Sequence, residues 1–570
     1  MHALLKIFIF LFIAGSMFIF SCNRKRNTAL PPRQMVADLN AVPAEITNQI
    51  YSIIKGLNDD PGMVKGLSFS CIPLLGKLYD ENGNEPLWLK QLTINPKADT
   101  FQLYLANAAN DGLFRNDYHY DSILRWRSDL KDSLKQHDAT LWAKLDLALT
   151  DGFLHVVQDL KQGRLLPDSQ LMCHHADANF SFFSKQLDKY IKGENLDSLL
   201  IRLQPVFPGY DSLHMLVKNF VGEMDTARYT YINYPFTKGS VSDSIKMIQN
   251  LTRRLTEEGL LNGRMVDSVA LSEAIKLYQH KHKIAETGTI SSFLVEMLNL
   301  TDRMKFARIA ITLDRYKAMP LTLPEQFILV NLPSFWLKVY RADTVALASK
   351  IICGKASTPT PFINGAISEI ITFPTWTVPA SIVEKEIIPG MKKSPGYLSK
   401  KGLSIYDKNE EWVDPDTVNW QKYKKGIPYK VMQGSGHNNA LGVIKFNFFN
   451  PFDIYLHDTN QRYLFKKIMR ALSHGCIRVE QWENLAAFIA QTDSLNLAKN
   501  DNLNYNFDSI NTWIENRERH IIKVKNRLSL YIRYFSCEAI NGKIHFYEDI
   551  YKDDKHLNEK YFRNKQLVFN

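Results

Sequence analysis

The spacing of the apolar residues changes at about residue 320, and this change limits the folds that the chain can adopt. From about residue 45 to 235 the spacing is helical, and in "LWAKLDLALTDGFLHVVQDL" an apolar stripe leaves a polar face between its members. The stripe consists of Leu145, Leu147, Leu149, Phe153, Val156 and Leu160. After residue 320, "QFILVNLPSFWLKVYRADTVALASKIICG" and "LGVIKFNFFNPFDIYLHD" alternate as β-strands do. The sequence therefore predicts a multidomain α+β chain, with a helical scaffold domain over residues 45–235 and a β-rich domain over residues 320–570.

A smaller helical unit is expected over residues 240–302. In "DSIKMIQNLTRRL" one stripe would contain Ile245, Ile248, Leu251 and Leu255, and "LSEAIKLYQ" and "SFLVEMLNL" give two further short helices. Their pattern resembles the three-helix peptidoglycan-binding module; the alternative is an ordinary packing domain. The residues that carry this resemblance are Gln249, Leu251, Leu255, Gly259, Ala274, Tyr278, Gln279, Leu298 and Asn299.

A long, charged segment rich in Pro and Gly interrupts the β-rich domain at residues 377–440. Most connections inside a compact domain are far shorter than this. Insertions of this size are usually lids or binding elements. We therefore expect residues 377–440 to cap a site in the β-rich domain.

The N-terminus has the pattern of an export signal. The apolar run "LLKIFIFLFIAGSMFIFSC" follows a lone Lys6 and ends with a small residue before Cys22, as a bacterial lipoprotein signal does. Residues 1–22 are thus expected to be a lipoprotein-type signal that leaves Cys22 lipidated, and residues 23–44 a polar tether. The alternative is an uncleaved membrane anchor, for which the run is just long enough. Both readings export the protein.

The cysteines and the net charge narrow the class of protein further. If Cys22 carries lipid, five cysteines remain, an odd number without repeated spacing, so no disulfide framework is indicated and at least one thiol is free. They are Cys71, Cys173, Cys353, Cys476 and Cys537, and the free thiol is expected to be Cys476. The net charge of +11 is spread over the chain, which suggests an acidic envelope polymer or a membrane surface as partner rather than nucleic acid.

The segment "ALSHGCIRV" places Cys476 nineteen residues after His457, which ends an alternating run on its polar face. The amphipathic helix "VEQWENLAAFIA" follows, so a loop could bring thiol and imidazole together at the start of that helix. A nearby imidazole or a helix N-terminus lowers the pKa of a thiol from about 8.5. Gly475 would let backbone N–H groups face a developing oxyanion, and His474 and Arg478 add donors or positive charge.

Cys476 has two alternative uses. A lone cysteine is more often a small buried apolar residue than a catalyst. A structural zinc site needs four ligands, and no second Cys or His pair matches this segment, because "CHH" at residues 173–175 is distant. We therefore expect neither a metal nor a cofactor.

"SHGCIRV" with its upstream histidine resembles the catalytic motif of the L,D-transpeptidases. The resemblance extends to "IICGKASTPTPF", "PTWTVPASI", "GHNNALGVIKFNFFNPFDIYLHDT" and "FYEDIYKDD", and in the helical region to "YDENGNEPLWL" and "ANAANDGLF". Over most of residues 65–555 the chain resembles the large multidomain L,D-transpeptidases of Gram-negative bacteria. This implies a β-rich catalytic fold, a peptidoglycan-binding module, a capping insertion and a membrane-tethered place on the periplasmic side of the envelope.

The resemblance also implies roles for single residues. Cys476 would attack the third residue of a tetrapeptide stem and expel D-alanine, with His457 as base and the backbone of His474, Gly475 and Cys476 receiving the oxyanion. An amine of a second stem would then take the acyl group, giving a 3→3 crosslink. Ser473 would support the His/Cys arrangement by hydrogen bonding. The remaining implied residues are Arg478 as substrate-binding, and Trp376, Tyr455 and Asn438 as cleft residues or else packing and turn residues.

Two other functions fit the same sequence. If water rather than an amine resolves the thioester, the protein would be an L,D-carboxypeptidase or a crosslink hydrolase. If Cys476 is inert, it would be a non-catalytic wall-binding lipoprotein. The expected partners are peptidoglycan stem peptides and a membrane, and a carbapenem would act as an acylating mimic of the stem. Asp458 departs from the Gly or Ser that smaller family members often have after the base histidine.

Overall fold

The computed structural model describes residues 33–59, 68–234, 241–262, 267–282, 284–495 and 504–562. The signal expected over residues 1–22, including Cys22, lies outside them, and the tether is described only from residue 33. Two compact units divide the chain: one takes most of it up to Leu203, and the other takes Ala109–Leu113, Gly163–Leu165 and everything from Gln204. No helix among the described residues is long and apolar enough to cross a membrane.

The first unit is helical, apart from one small hairpin. Its helices are α1 Val42–Asp59, α2 Ile72–Glu81, α3 Lys97–Ala106, α4 Tyr120–Asp129, α5 Ala139–Gln162, α6 Ala176–Ile191 and α7 Leu196–Ile201, and its strands are β1 Leu89–Lys90 and β2 Thr93–Ile94.

The polar face expected on helix α5 is buried, not exposed to water. Its Asp146 accepts hydrogen bonds from the N–H groups of Leu87 and Trp88, at 2.9 and 2.8 Å. Its Asp151 accepts from the Cys71 N–H at 2.8 Å and pairs with His119 at 2.8 Å. Burial is tolerated because backbone donors satisfy the carboxylates. Burial still raises the pKa of Asp146 to about 6.

Five helices begin the second unit: α8 Pro208–Glu223, α9 Val241–Glu257, α10 Ser268–Lys281, α11 Ser292–Asn299 and α12 Asp302–Lys317. Helices α9 to α11 share one apolar core that includes Leu251, Leu255, Tyr278 and Leu298. The stripe predicted for α9 was partly wrong, because Ile245 and Ile248 are 54% and 43% exposed. Met247 takes the inward position instead, since residues four apart lie on one helix face and Met247, Leu251 and Leu255 form that series.

A large sheet closed on itself forms the β-rich domain. In the order in which they pair, its strands are β13 Ala471–Ser473, β5 Thr344–Gly354, β14 Ile477–Val479, β12 Leu456–His457, β11 Ile444–Phe448, β6 Ile363–Thr372, β15 Ile521–Arg533, β3 Gln326–Asn331 and β4 Trp336–Arg341. An additional pairing of β4 with β5 closes the sheet. The strands up to the insertion are β3 Gln326–Asn331, β4 Trp336–Arg341, β5 Thr344–Gly354 and β6 Ile363–Thr372. The apolar faces of these strands meet in one core with helix residues such as Leu485 and Ile489.

The insertion is a folded subdomain with its own core. A four-stranded sheet of order β7-β10-β8-β9 packs with short helices around Ile387, Ile405 and Val431. Its elements are β7 Trp376–Thr377, α13 Ala380–Ile382, a π-helical turn Val383–Ile387, α14 Ile388–Lys393, α15 Tyr397–Lys400, β8 Leu403–Tyr406, β9 Trp412–Val413 and β10 Lys430–Gln433. We call it the cap.

The remaining elements complete the sheet and surround it. They are β11 Ile444–Phe448, β12 Leu456–His457, β13 Ala471–Ser473, β14 Ile477–Val479, α16 Trp482–Leu495, α17 Phe507–Glu515, β15 Ile521–Arg533, β16 Cys537–Ile540, β17 Lys543–Phe546 and α18 Asp553–Leu557. The architecture is multidomain α+β, as the sequence predicts. The domain boundaries drawn from the sequence stay predictions.

Candidate active site

Cys476 directly precedes strand β14, not a helix. The sequence placed it at the start of a helix, but helix α16 begins only at Trp482. Ile477 and Val479 explain the difference, because these β-branched residues are fully buried between strands β5 and β12. The thiol therefore sits at the entrance to a strand.

The register of the sheet brings Cys476 and His457 to the same face. Strand β14 runs parallel to β12, with Ile477 opposite Leu456 and Arg478 opposite His457. Ile477 and Leu456 are fully buried in the core, and side chains alternate along a strand. Cys476 and His457 therefore lie on the same face of neighbouring strands, two residues apart along them, and Cys476 also packs against the edge of the core.

His457 is a buried, uncharged imidazole. Its side chain is 4% exposed, and its Nδ1 has no hydrogen-bond partner among the described residues. Burial and the nearby charges of Arg478 and Lys445 lower its pKa to about 3, although backbone hydrogen bonds with Asp458 and Leu441 oppose this. At neutral pH the imidazole is thus uncharged.

The Cys476 thiol is held protonated in the resting site. Burial raises its pKa, even though hydrogen bonds from the backbone and side chain of Tyr455 and the charges of Lys445 and Arg478 act in the opposite direction. Its Sγ lies 3.8 Å from the carbonyl oxygen of Asp453. The lowered thiol pKa expected from the sequence is therefore wrong in direction, because burial outweighs the neighbouring donors and charges.

Ser473 and Gly475 shape the turn that carries the thiol. The Ser473 hydroxyl donates to the Cys476 carbonyl at 2.6 Å and accepts from the Gly475 N–H at 3.1 Å. Gly475 has a φ of +126°, and a Cβ there would lie 3.2 Å from the Ile454 side chain. Because the Gly475 N–H is engaged, the N–H groups of His474 and Cys476 are the remaining candidates for an oxyanion site. Neither has a recorded acceptor among the described residues.

The side chain of His474 turns to the cap. Its Nε2 lies 2.6 Å from Oε1 of Glu386, which belongs to the π-helical turn Val383–Ile387. Both side chains remain partly exposed to solvent. The pair links the catalytic turn to the cap, and it leaves only the backbone of His474 for the thiol side.

Tyr455 adjoins the Cys476 thiol, and Trp376 adjoins Tyr455; their role as cleft residues stays a prediction. Tyr455 hydrogen bonds with the Cys476 thiol and with Trp376. Burial and the contact with Cys476 raise the pKa of Tyr455, whereas the hydrogen bond with Trp376 acts in the opposite direction. Its ring centre lies 5.6 Å from that of His457. Trp376 opens the first strand of the cap.

The other two substrate-binding candidates, Arg478 and Asn438, differ in their surroundings. Arg478 donates from Nη1 to Oε1 of Gln461 at 3.2 Å, while its buried Nε has no hydrogen-bond partner among the described residues. Asn438 is exposed, and its recorded contacts use its carbonyl oxygen, which accepts from Gln433 and Asn460 at 3.3 and 2.8 Å. The structure does not bring Asn438 to the thiol.

Comparison with known proteins agrees with this geometry. Residues 325–497 match the L,D-transpeptidase catalytic domain, and residues 73–215 match the Scaffold domain. Residues 325–497 thus form an L,D-transpeptidase catalytic domain. It is similar to a Haemophilus influenzae protein named "Putative L,D-transpeptidase", with 33% identity over 239 residues. That match covers 40% of this chain and spans 45% of the relative.

The candidate site contains residues that sequence reasoning missed. Lys445 lies on the same sheet face, and its signal was the alternation in "VIKFNFF", where Ile444 and Phe446 occupy the core positions. Glu386 of the cap gave no signal, because its contact with His474 is long-range.

Asp458 has a structural role in this domain. It is 1% exposed and accepts two hydrogen bonds from Arg462, at 3.0 and 2.8 Å, and one from the Val443 N–H at 3.1 Å. These bonds anchor the segment that follows His457. Within the described part of the chain, no group of three or more His, Cys, Asp or Glu side chains could hold a metal ion.

Proposed function

We propose that the chain is a peptidoglycan L,D-transpeptidase in which Cys476 is the nucleophile and His457 the general base. The observation that carries the proposal is the uncharged, buried His457, with its Nδ1 unpartnered among the described residues, on the sheet face that also bears the thiol. The match of residues 325–497 to the L,D-transpeptidase catalytic domain supports the peptidoglycan substrate.

The first half-reaction acylates the enzyme. His457 takes the thiol proton while the sulfur attacks the carbonyl carbon of the third residue of a tetrapeptide stem. The N–H groups of His474 and Cys476 would receive the developing oxyanion. The bond to the fourth residue then breaks, and the D-alanine amine leaves with the proton that His457 carried.

The second half-reaction transfers the acyl group. The amine of a diamino acid on another stem attacks the thioester, His457 takes a proton from that amine, and the sulfur leaves as a thiol. The product is a 3→3 crosslink. Water can take the place of the amine, which would make the chain an L,D-carboxypeptidase or hydrolase with the same nucleophile and base.

Incubation of the purified protein with tetrapeptide muropeptides tests the proposal. Mass spectrometry should find crosslinked dimers and free D-alanine, and neither should form with Cys476→Ala. Trimmed tripeptides without dimers would establish the hydrolase instead. Products that persist with Cys476→Ala would refute the assignment of the nucleophile.

A carbapenem provides an independent probe. It should acylate Cys476 of the parent and leave Cys476→Ala unmodified, because Cys to Ala removes little volume and should preserve the fold. Absence of any adduct on the parent would support a non-catalytic wall-binding protein.

We also propose that Cys22 is lipidated and tethers the protein to a membrane on the periplasmic side of the envelope. The support is "IFSC" at the end of the apolar run. Cys22→Ser should leave the precursor unprocessed and block incorporation of a labelled fatty acid. Unchanged membrane partition with no label in the parent would indicate an uncleaved anchor.

A further inference from the structure

Lys445 lies beside the proposed catalytic pair. In strand β11 its register partner on β12 is His457, while its neighbours Ile444 and Phe446 are fully buried. Because side chains alternate along a strand, Lys445 points to the face that bears Cys476 and His457. The order β14-β12-β11 therefore places Arg478, His457 and Lys445 in one row across that face.

The ammonium group of Lys445 forms no ion pair among the described residues, although the carboxylates of Glu369 and Asp453 are close enough to favour its charged form. No hydrogen bond or ion pair of its Nζ is recorded there; the group lies over the ring of Tyr455, 3.9 Å from the ring centre. Glu369 on the same face is paired with Lys523 instead. Burial lowers the pKa of Lys445, which shows that its charge is partly removed from water.

A partly buried cation of this kind gains free energy when an anion binds to it, because the cost of removing its charge from water is already present. The contact with Tyr455 also fixes the position of the ammonium. The hydroxyl of Tyr455 bonds to the Cys476 thiol, so the ammonium lies above the residue that adjoins the nucleophile. Arg478, the other cation of the row, lies on the other side of His457 and donates to Gln461, while its buried Nε has no partner among the described residues.

We propose that Lys445 binds the terminal carboxylate of the donor stem, one residue beyond the bond that Cys476 breaks. This deepens the proposed function and rests on it. In a tetrapeptide stem the terminal carboxylate carbon is three bonds from the carbonyl carbon that the sulfur attacks, a separation of about 4 Å. A cation beside the nucleophile is therefore in reach of that carboxylate.

The subsite would select the length of the donor. A stem that ends at its fourth residue presents a carboxylate to Lys445, and the ammonium offers three donors as a compact charge. A stem with a fifth residue presents an uncharged amide at the same place. The ammonium would then stay unpaired, so pentapeptide stems would be poorer donors.

The test compares two donors that differ only at this group: a tetrapeptide muropeptide and the same muropeptide with a C-terminal amide. The full-length protein should release D-alanine from the first with a kcat/KM about 10- to 100-fold higher than that for release of D-alaninamide from the second, as expected for a charge-assisted hydrogen bond. Lys445→Met should bring this ratio close to one, mainly by raising KM for the acid, because it removes the charge that distinguishes the acid from the amide. Lys445→Arg should keep most of the preference.

Lys523→Met is the matched control, because it removes another lysine of the same face that is already paired with Glu369. It should leave the acid-to-amide ratio as in the parent. The carboxylate subsite is refuted if the parent processes both donors equally, or if Lys445→Met slows both by the same factor, since Lys445 would then act on the thiol or His457. If the parent processes neither donor, the proposed function itself fails and this proposal falls with it.

Discussion

The resting protonation state of Cys476 and His457 predicts how the alkylation rate of Cys476 depends on pH. His457 has a pKa of about 3, so at pH 7 only about one molecule in ten thousand carries a charged imidazole. The thiol pKa lies above its ordinary value of 9.0, so at pH 7 at most about one molecule in a hundred carries a thiolate. We therefore expect a neutral thiol beside a neutral imidazole, not an ion pair.

Alkylation of Cys476 by iodoacetamide measures this state, because the reagent reacts with the thiolate and needs no substrate site. The rate should rise about tenfold per pH unit from pH 5 to 9 without a plateau. The other described cysteines, Cys71, Cys173, Cys353 and Cys537, are buried. Mass spectrometry of the Cys476 peptide gives the rate at this site, and Cys476→Ala gives the background.

A preformed thiolate–imidazolium pair would behave differently. Cysteine proteases with such a pair have thiol pKa values of about 3–4, so their alkylation is already fast in weak acid. A rate for Cys476 that levels off between pH 5 and 7 would refute a neutral resting pair.

Removal of the imidazole separates alkylation from acylation. His457→Ala should keep the pH slope of alkylation but lower carbapenem acylation by about 10²–10⁴-fold, the usual contribution of a general base. His474→Ala should cost less, because its side chain faces Glu386. If His474→Ala is the more damaged and His457→Ala keeps the parent's pH profile of acylation, the base has been assigned to the wrong histidine.

Three further outcomes are expected. Gly475→Ala should lower carbapenem acylation and cost about 1–3 kcal/mol of stability, because the φ of +126° is unfavourable for alanine; an unchanged melting temperature and rate would contradict this. Ser473→Ala removes a hydroxyl that bonds to the Cys476 carbonyl and the Gly475 N–H. It should lower the free energy of unfolding by about 1–3 kcal/mol in a denaturant titration and slow carbapenem acylation. Ser473→Thr should retain more of the stability and of the acylation rate. His457 binds a proton near pH 6.5 in the unfolded chain and only near pH 3 in the folded chain, so the stability of the fold should decrease as the pH drops through this window. His457→Gln should reduce this acid sensitivity in thermal unfolding scans. Equal acid sensitivity in both proteins would show that His457 is not buried in its neutral form.

Local patterns in the sequence were enough to predict the face that His457 occupies. The alternation of Ile454, Tyr455, Leu456 and His457 holds in the structure, since Ile454 and Leu456 are buried in the core. The parallel register of strands β12 and β14 was not predictable, because it depends on how a nineteen-residue connection returns to the sheet. That register decides which residues flank the imidazole.

The predictions from the sequence were wrong where the burial of a residue depends on partners that are distant along the chain. The polar side of helix α5 is buried because Asp146 and Asp151 accept hydrogen bonds from residues more than fifty positions away. The thiol pKa was expected to fall because of a nearby imidazole or a helix N-terminus, yet the sheet and its neighbours remove enough water to raise it. The spacing of apolar residues in the sequence indicates which face of an element packs against the core. The pKa of a polar group also depends on how much water remains around it in the folded protein, which the spacing does not show.

The two cations beside His457 indicate which stage of the reaction the site stabilises. Burial moves the pKa of the thiol up and that of the imidazole down, so transfer of the proton before attack is strongly unfavourable. Lys445 and Arg478 lower both pKa values, so they favour the thiolate but disfavour the imidazolium that must form with it. Their benefit is therefore largest when negative charge has moved from the sulfur to the oxyanion or lies on a bound carboxylate. Such a site is complementary to the substrate-bound transition state and leaves the resting thiol unreactive.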